Sequence, residues 1–223
     1  MLRSARRPAA NTSRRPAKTE ARRGRRDGLK PAILDAARQL CFADGVDGIS
    51  ARKIAAQVGC SATAIYLHYD NLDDVLHHLR MEGHALLARY FRDAGGKTPV
   101  DRLVAMAHAY YRFGVEQPRY YELMFLHRYA EARRELVQQE IFTLMLVRDA
   151  VQSAIDARAI RTDVDAFTLA HGLWSTMHGL TSLAVTGLLV QTAPGQDRVL
   201  LDGVIESLQR WIAPPPRRRG ERR

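Results

Sequence analysis

Between Cys60 and Leu72 the chain reads CSATAIYLHYDNL, a stretch rich in small residues and hydroxyls and without a Lys, Arg or Glu. The chemistry open to it is hydrogen bonding at close range. Ser61 and Thr63 carry hydroxyls that donate or accept, and Ala62 and Ala64 let the backbone come near a partner. Thr63 has the right groups to bond a base edge or touch a thymine methyl in a DNA major groove. Tyr66 and His68 follow one turn later, where a phenol suits a phosphate oxygen and fixes register without reading sequence. Ile65 reads as the inward anchor, and Tyr69 as a ring packed inward with a solvated hydroxyl. No Gly-rich phosphate loop or paired metal-ligand motif occurs in the chain, which argues for binding over catalysis. Neither a cofactor nor a metal ion is expected.

Such a stretch needs elements that hold it against a duplex. PAILDAARQLCFADG spaces Ile33, Leu34, Ala37, Leu40 and Cys41 for a helix, with Pro31 in its first turn and Gly45 at its end. Ser50 is placed to cap a two-turn helix, ARKIAAQVG, ending at Gly59. Ser61 then caps ATAIYLHY. Two short helices joined by about three residues with a glycine form a helix-turn-helix signature. Beyond Leu72 the spacing predicts helices at 72–94, 99–117, 119–127, 131–158, 163–190 and 197–212, with breaks at Gly95-Gly96, Pro118, Arg161–Thr162 and Pro194-Gly195. No strand or internal repeat is evident. The expected fold class is all-α, a three-helix unit at 28–76 followed by a larger helical domain at 77–213.

Charge is unevenly spread. The net +10 resides in residues 1–27, at +8, and in 214–223, at +4, leaving −2 for 28–213. Both ends read as disordered basic tails, and such blocks act as interaction arms or as solubilising ends. Cys41 and Cys60 lack CxxC or metal-type spacing, which suits a reducing cytoplasm. The segment Leu180–Val190 is too short and too rich in Thr and Ser to span a bilayer. A soluble cytoplasmic protein is the expectation.

The run Ile33–Leu76 resembles the DNA-binding domain of the tetracycline-repressor (TetR) family of transcriptional regulators. The resemblance rests on Ala36-Ala37, Gly45, SARKIA (Ser50 to Ala55), GCS (Gly59 to Ser61) and YLHY (Tyr66 to Tyr69) in fixed order. It implies DNA contacts from Arg52, Ala62, Thr63, Tyr66 and His68; Lys53 and Ser61 stand beside them. One departure stands out. Where the family carries a phosphate-binding lysine after the aromatic, this chain has Leu72. Residues 28–76 are themselves net −2, so cations must come from outside, and Arg22, Arg23, Arg25 and Arg26 adjoin the first helix.

The larger half resembles a C-terminal class of the same family, the WHG type, through Trp174, His178 and Gly179 in LWSTMHGLTSL. That implies a small-molecule effector and a homodimer. The helix at 163–190 is apolar on two sides, along Leu169, Leu173, Met177, Leu180 and Ala184 and along Phe167, His171, Trp174, His178 and Thr181. His171 and His178 are two turns apart, about 10 Å, too far to share a metal ion. Candidate pocket residues are Tyr110, Phe113, Tyr121, Met124, Phe125, Met145, Trp174, Met177 and His178, each equally readable as ordinary core. Leu188, Leu201, Ile205, Leu208 and Trp211 are expected at a two-fold interface. The reading is a ligand-responsive repressor, released by a small molecule from a palindromic operator. The alternative is an architectural protein that coats DNA through its arginine tails.

Overall fold

The computed structural model describes residues 17–127, 142–189 and 195–215, with side chains from Gly28 onward. Every regular element among them is helical. Helix α1 (Ala17–Asp44) begins inside the segment expected as a basic arm, and Pro31 lies within it instead of in its first turn. The residues ahead of Pro31 are mostly good helix formers, Ala, Lys, Glu and Arg, so the helix extends through a proline that removes one backbone donor. Helix α2 (Ala51–Val58) starts where the Ser50 hydroxyl accepts the Lys53 amide at 3.2 Å. It stops at Gly59, whose φ of 75° is a left-handed conformation suited to glycine.

Helix α3 (Ala62–Ile65) is a single turn, half the length the sequence suggests. Tighter bonds follow it, His68 N–H to Ile65 O at 2.9 Å among them, because Tyr69 must turn its ring into the core. Asn71 then caps helix α4 (Leu72–Asp93). Ile33, Ala37, Ile54, Ile65, Val75 and Leu79 form the sealed core of this N-terminal unit.

Helix α4 carries 22 residues, about 33 Å, out of that unit and into the larger bundle. A capping box of Thr98 and Asp101 opens helix α5 (Pro99–Glu116). The expected helix at 119–127 is instead a short α6 (Pro118–Tyr121) running into a π-helical turn, Glu122–Leu126. Helices α7 (Phe142–Asp156), α8 (Ala166–Val185) and α9 (Gln196–Ile212) complete the described bundle. Residues 131–141, also expected as helix, lie outside the described residues. Gly114 is where α5 meets α8, since a Cβ there would sit 2.2 Å from Thr181 Cγ2. Alanine would not fit without displacing the Thr181 side chain, whose hydroxyl donates to the Met177 carbonyl at 2.7 Å.

Candidate nucleic-acid interface and ligand cavity

The N-terminal unit offers one surface built from α2, the turn after Gly59 and the residues around α3. Thr63 is exposed there and Tyr66 is 50% exposed, while His68 is half-buried. Arg52 is exposed and has no hydrogen bond or ion pair among the described residues. Lys53 is less available, because its ammonium sits 3.1 Å from Asp44 Oδ2. Ser61 accepts the Ala64 amide at 3.2 Å and so shapes the turn. Tyr69 is buried, donates to the Lys30 carbonyl at 3.1 Å and has its pKa pushed up to about 12 by burial. It holds the reading turn onto α1 instead of facing outward. Leu72, in place of a phosphate-binding lysine, packs against the core of the unit. The side chains of Arg22, Arg23, Arg25 and Arg26 lie outside the described ones.

Two features tie this unit to the bundle. The Arg38 guanidinium donates to both Glu82 oxygens, at 2.9 and 3.3 Å, and Tyr120 donates to the same carboxylate at 3.1 Å. Those bonds hold Arg38 firmly charged and join α1, α4 and α6. Phe42 adds an edge-to-face contact with Tyr120 at 5.0 Å. Leu123, from the π-helical turn, is fully buried in the core of the N-terminal unit, whereas its neighbour Met124 is buried in the core of the bundle.

Inside the bundle, α4, α5, α7, α8 and α9 line a partly open cavity of about 50 Å³. Among the described residues its walls are apolar apart from Tyr110, Trp174 and Gln209. Behind two of these lies a buried polar chain. The Trp174 indole N–H donates to Tyr110 Oη at 3.2 Å, and Tyr110 and Tyr121 place their hydroxyls 3.2 and 2.7 Å from His178 Nδ1. Burial lowers the His178 pKa and raises those of both tyrosines, so all three rest neutral. Phe125 closes the group, 5.1 Å from the Tyr121 ring and 5.7 Å from that of His178.

Two family models fall on these two halves. Residues 33–79 match "Bacterial regulatory proteins, tetR family", and 103–208 match "Tetracyclin repressor-like, C-terminal domain". The chain belongs to the TetR family. As such it is a DNA-binding transcriptional regulator, of a family whose members are generally not enzymes. It is 27% identical to the HTH-type transcriptional regulator YobS of Bacillus subtilis (strain 168), over 68% of this chain and 76% of that protein. A solved structure from Rhodococcus sp. RHA1 superposes with a TM-score of 0.69 at 28% identity, covering 83% of this chain and 95% of the other. The fold is also that of FadR from Bacillus subtilis, solved with stearoyl-CoA, at a TM-score of 0.63 and 17% identity over 79% and 96% of the two chains.

Within this TetR-family architecture the expected pocket residues divide. Tyr110, Trp174 and Met177 line the cavity. Phe113, Tyr121 and Met124 are buried core, His178 and Phe125 sit behind Tyr110 and Trp174, and Met145 is half-buried on α7 outside the lining. The expected interface residues divide too. Leu201, Ile205 and Leu208 are buried within their own subunit, because the apolar stripe of α9 is used up against α5 and α8. Leu188 and Trp211 stay 67% and 41% exposed. Of the second stripe of α8, Trp174, His178 and Thr181 turn inward, His171 is half-buried and Phe167 is 51% exposed, while Ser175, Thr176, Gly179 and Leu183 are exposed on the outer side.

Sequence reasoning passed over Leu67, 67% exposed between Tyr66 and His68 on the reading surface. It also passed over Arg38, Glu82 and Leu123. For Leu67 a signal existed, since it falls off the stripe of Ile65 and Tyr69. The other three meet partners 38 to 44 residues away or across the unit boundary, and no local pattern marks them. Among the described residues no helix is long and apolar enough to cross a membrane.

Proposed function

We propose that the protein is a homodimeric repressor that binds a palindromic operator and is released by a small molecule held in the bundle cavity. The observation that carries this is α4. One end abuts the reading turn at Leu72, and the other supplies Phe91 to the cavity wall. A ligand that shifts Phe91 tilts the helix on which the reading surface rides. In a dimer that tilt changes the spacing of two reading surfaces, which must match about one DNA turn, roughly 34 Å. A coupling of about 1–3 kcal/mol is sufficient for a switch. The dimer is best supported by the outward sides of α8 and α9, where Gly179, Gly203, Ser175 and Ser207 permit close approach beside Leu183, Val199 and Trp211. Light scattering at micromolar concentration should give twice the chain mass; a monomer would end the palindrome argument.

The DNA-reading half is tested by selecting a binding site from random duplexes and then measuring Thr63→Ala. The variant should lose about 1–3 kcal/mol on the selected site and little on a scrambled duplex. Equal affinity of the native protein for both duplexes would favour a DNA-coating role through the arginine tails.

A further inference from the structure

On the far side of the cavity wall lies a surface cleft between the end of α4, the turn at 95–98, the start of α5 and α7. Phe91 and Met106 line both the cavity and the cleft, and each is almost completely buried. The two spaces differ sharply in chemistry. No charged side chain lines the cavity among the described residues. The cleft carries Arg92, Lys97 and Arg102 against one carboxylate, Asp149, which is paired with Arg148 at 2.8 Å. Arg92 and Lys97 are exposed and have no ion pair among the described residues, while Arg102 spends one N–H on the Gly95 carbonyl at 3.0 Å. The cavity as it stands is far below the roughly 300–1,000 Å³ of a typical ligand pocket, so an occupant must open it. Methionine is the easiest core side chain to move, and a turn of Met106 with Phe91 joins cavity to cleft.

We propose that cavity and cleft form one site for a single-chain amphiphile with an anionic head group, its tail in the cavity and its head among Arg92, Lys97 and Arg102. The proposal rests on the effector reading above and names the class of effector. An apolar interior rejects a charge for want of a partner, and a cationic mouth favours an anion over a neutral head. Such a ligand enters by moving Phe91, the residue through which α4 senses the cavity.

The full-length protein is titrated by calorimetry, below the micellar range, with decanoate, decyl phosphate and decan-1-ol. Either anion should bind about tenfold more tightly than the alcohol, the gain expected from two or three exposed charge contacts. Arg92→Gln with Lys97→Gln, both at exposed positions, should erase that difference and leave the alcohol unchanged. Met106→Trp, checked for an intact thermal transition, should abolish binding of all three. Equal binding of anions and alcohol, no binding of any, or unchanged binding to Met106→Trp would each overturn the proposal. The two anions distinguish a carboxylate from a phosphate head. Operator release is measured separately. Tight decanoate binding with unchanged operator affinity would leave the site standing and remove the switch. Release by some neutral compound, with no amphiphile binding, would do the reverse.

Discussion

Removing the positive charge of residues 1–26 is expected to flatten the slope of log K against log salt by about 4–5, and to weaken selected and scrambled duplexes together by about a thousandfold at physiological salt. The reason is electrostatic. The unit that presents Thr63 and Tyr66 is net −2 over residues 28–76, its Lys53 is tied to Asp44, and Leu72 occupies the place of a phosphate-binding lysine. Of its cations, Arg52 alone is both on the reading surface and unpaired among the described residues. Nine arginines and Lys18 precede it, able to neutralise phosphates or to enter a narrow minor groove. Two variants divide the effect. Deleting residues 1–16 removes five arginines, and changing Arg22, Arg23, Arg25 and Arg26 to Gln removes four while leaving the backbone of α1 intact. The measurement is binding at several salt concentrations on both duplexes. An unchanged slope in both variants would make the arm a bystander.

The parts of this molecule that were legible beforehand are those decided locally. Ser50 and Ser61 each cap a helix through their own side chains, and Gly59 takes the left-handed conformation its position requires. Helical spacing alone located most of the remaining helices. The errors came where distant partners decide the outcome. The stripe Leu201, Ile205 and Leu208 is apolar whether it faces a second subunit or its own, and only the packing of α9 on α5 and α8 chooses between them. Likewise, the aromatics of the bundle were recognisable as a group, but not which of them border empty space. Tyr110 and Trp174 do so because the polar chain to His178 holds them at its edge. The extent of α3 was misjudged because its pattern continues through Tyr66 and Tyr69, while the backbone tightens to seat Tyr69.

Leu123→Ala should cost about 2–5 kcal/mol, the range for a leucine truncated in a sealed core, and the loss should fall on the DNA-reading unit. Leu123 belongs by sequence to the larger domain, yet it is fully buried among the core residues of the smaller one. The adjacent Met124 points into the other core, and Gly83 of α4 lies close enough that a Cβ would meet its sulfur at 2.5 Å. These two neighbours sit in a π-helical turn, a geometry that accommodates one extra residue and recurs at functional positions. The turn therefore presents consecutive side chains to two different cores, which an uninterrupted α-helix at this place would not do with the same register. Denaturant unfolding gives the size of the loss, and amide exchange gives its place. Leu123→Ala should speed exchange in α1 and α2, because their shared core loses a wall, and Met124→Ala should speed it in α5 and α8. If Leu123→Ala loosened only the bundle, Leu123 would not be the bridge between reading unit and cavity. Signals between them would then have to pass through α4 and the Arg38–Glu82–Tyr120 bonds alone.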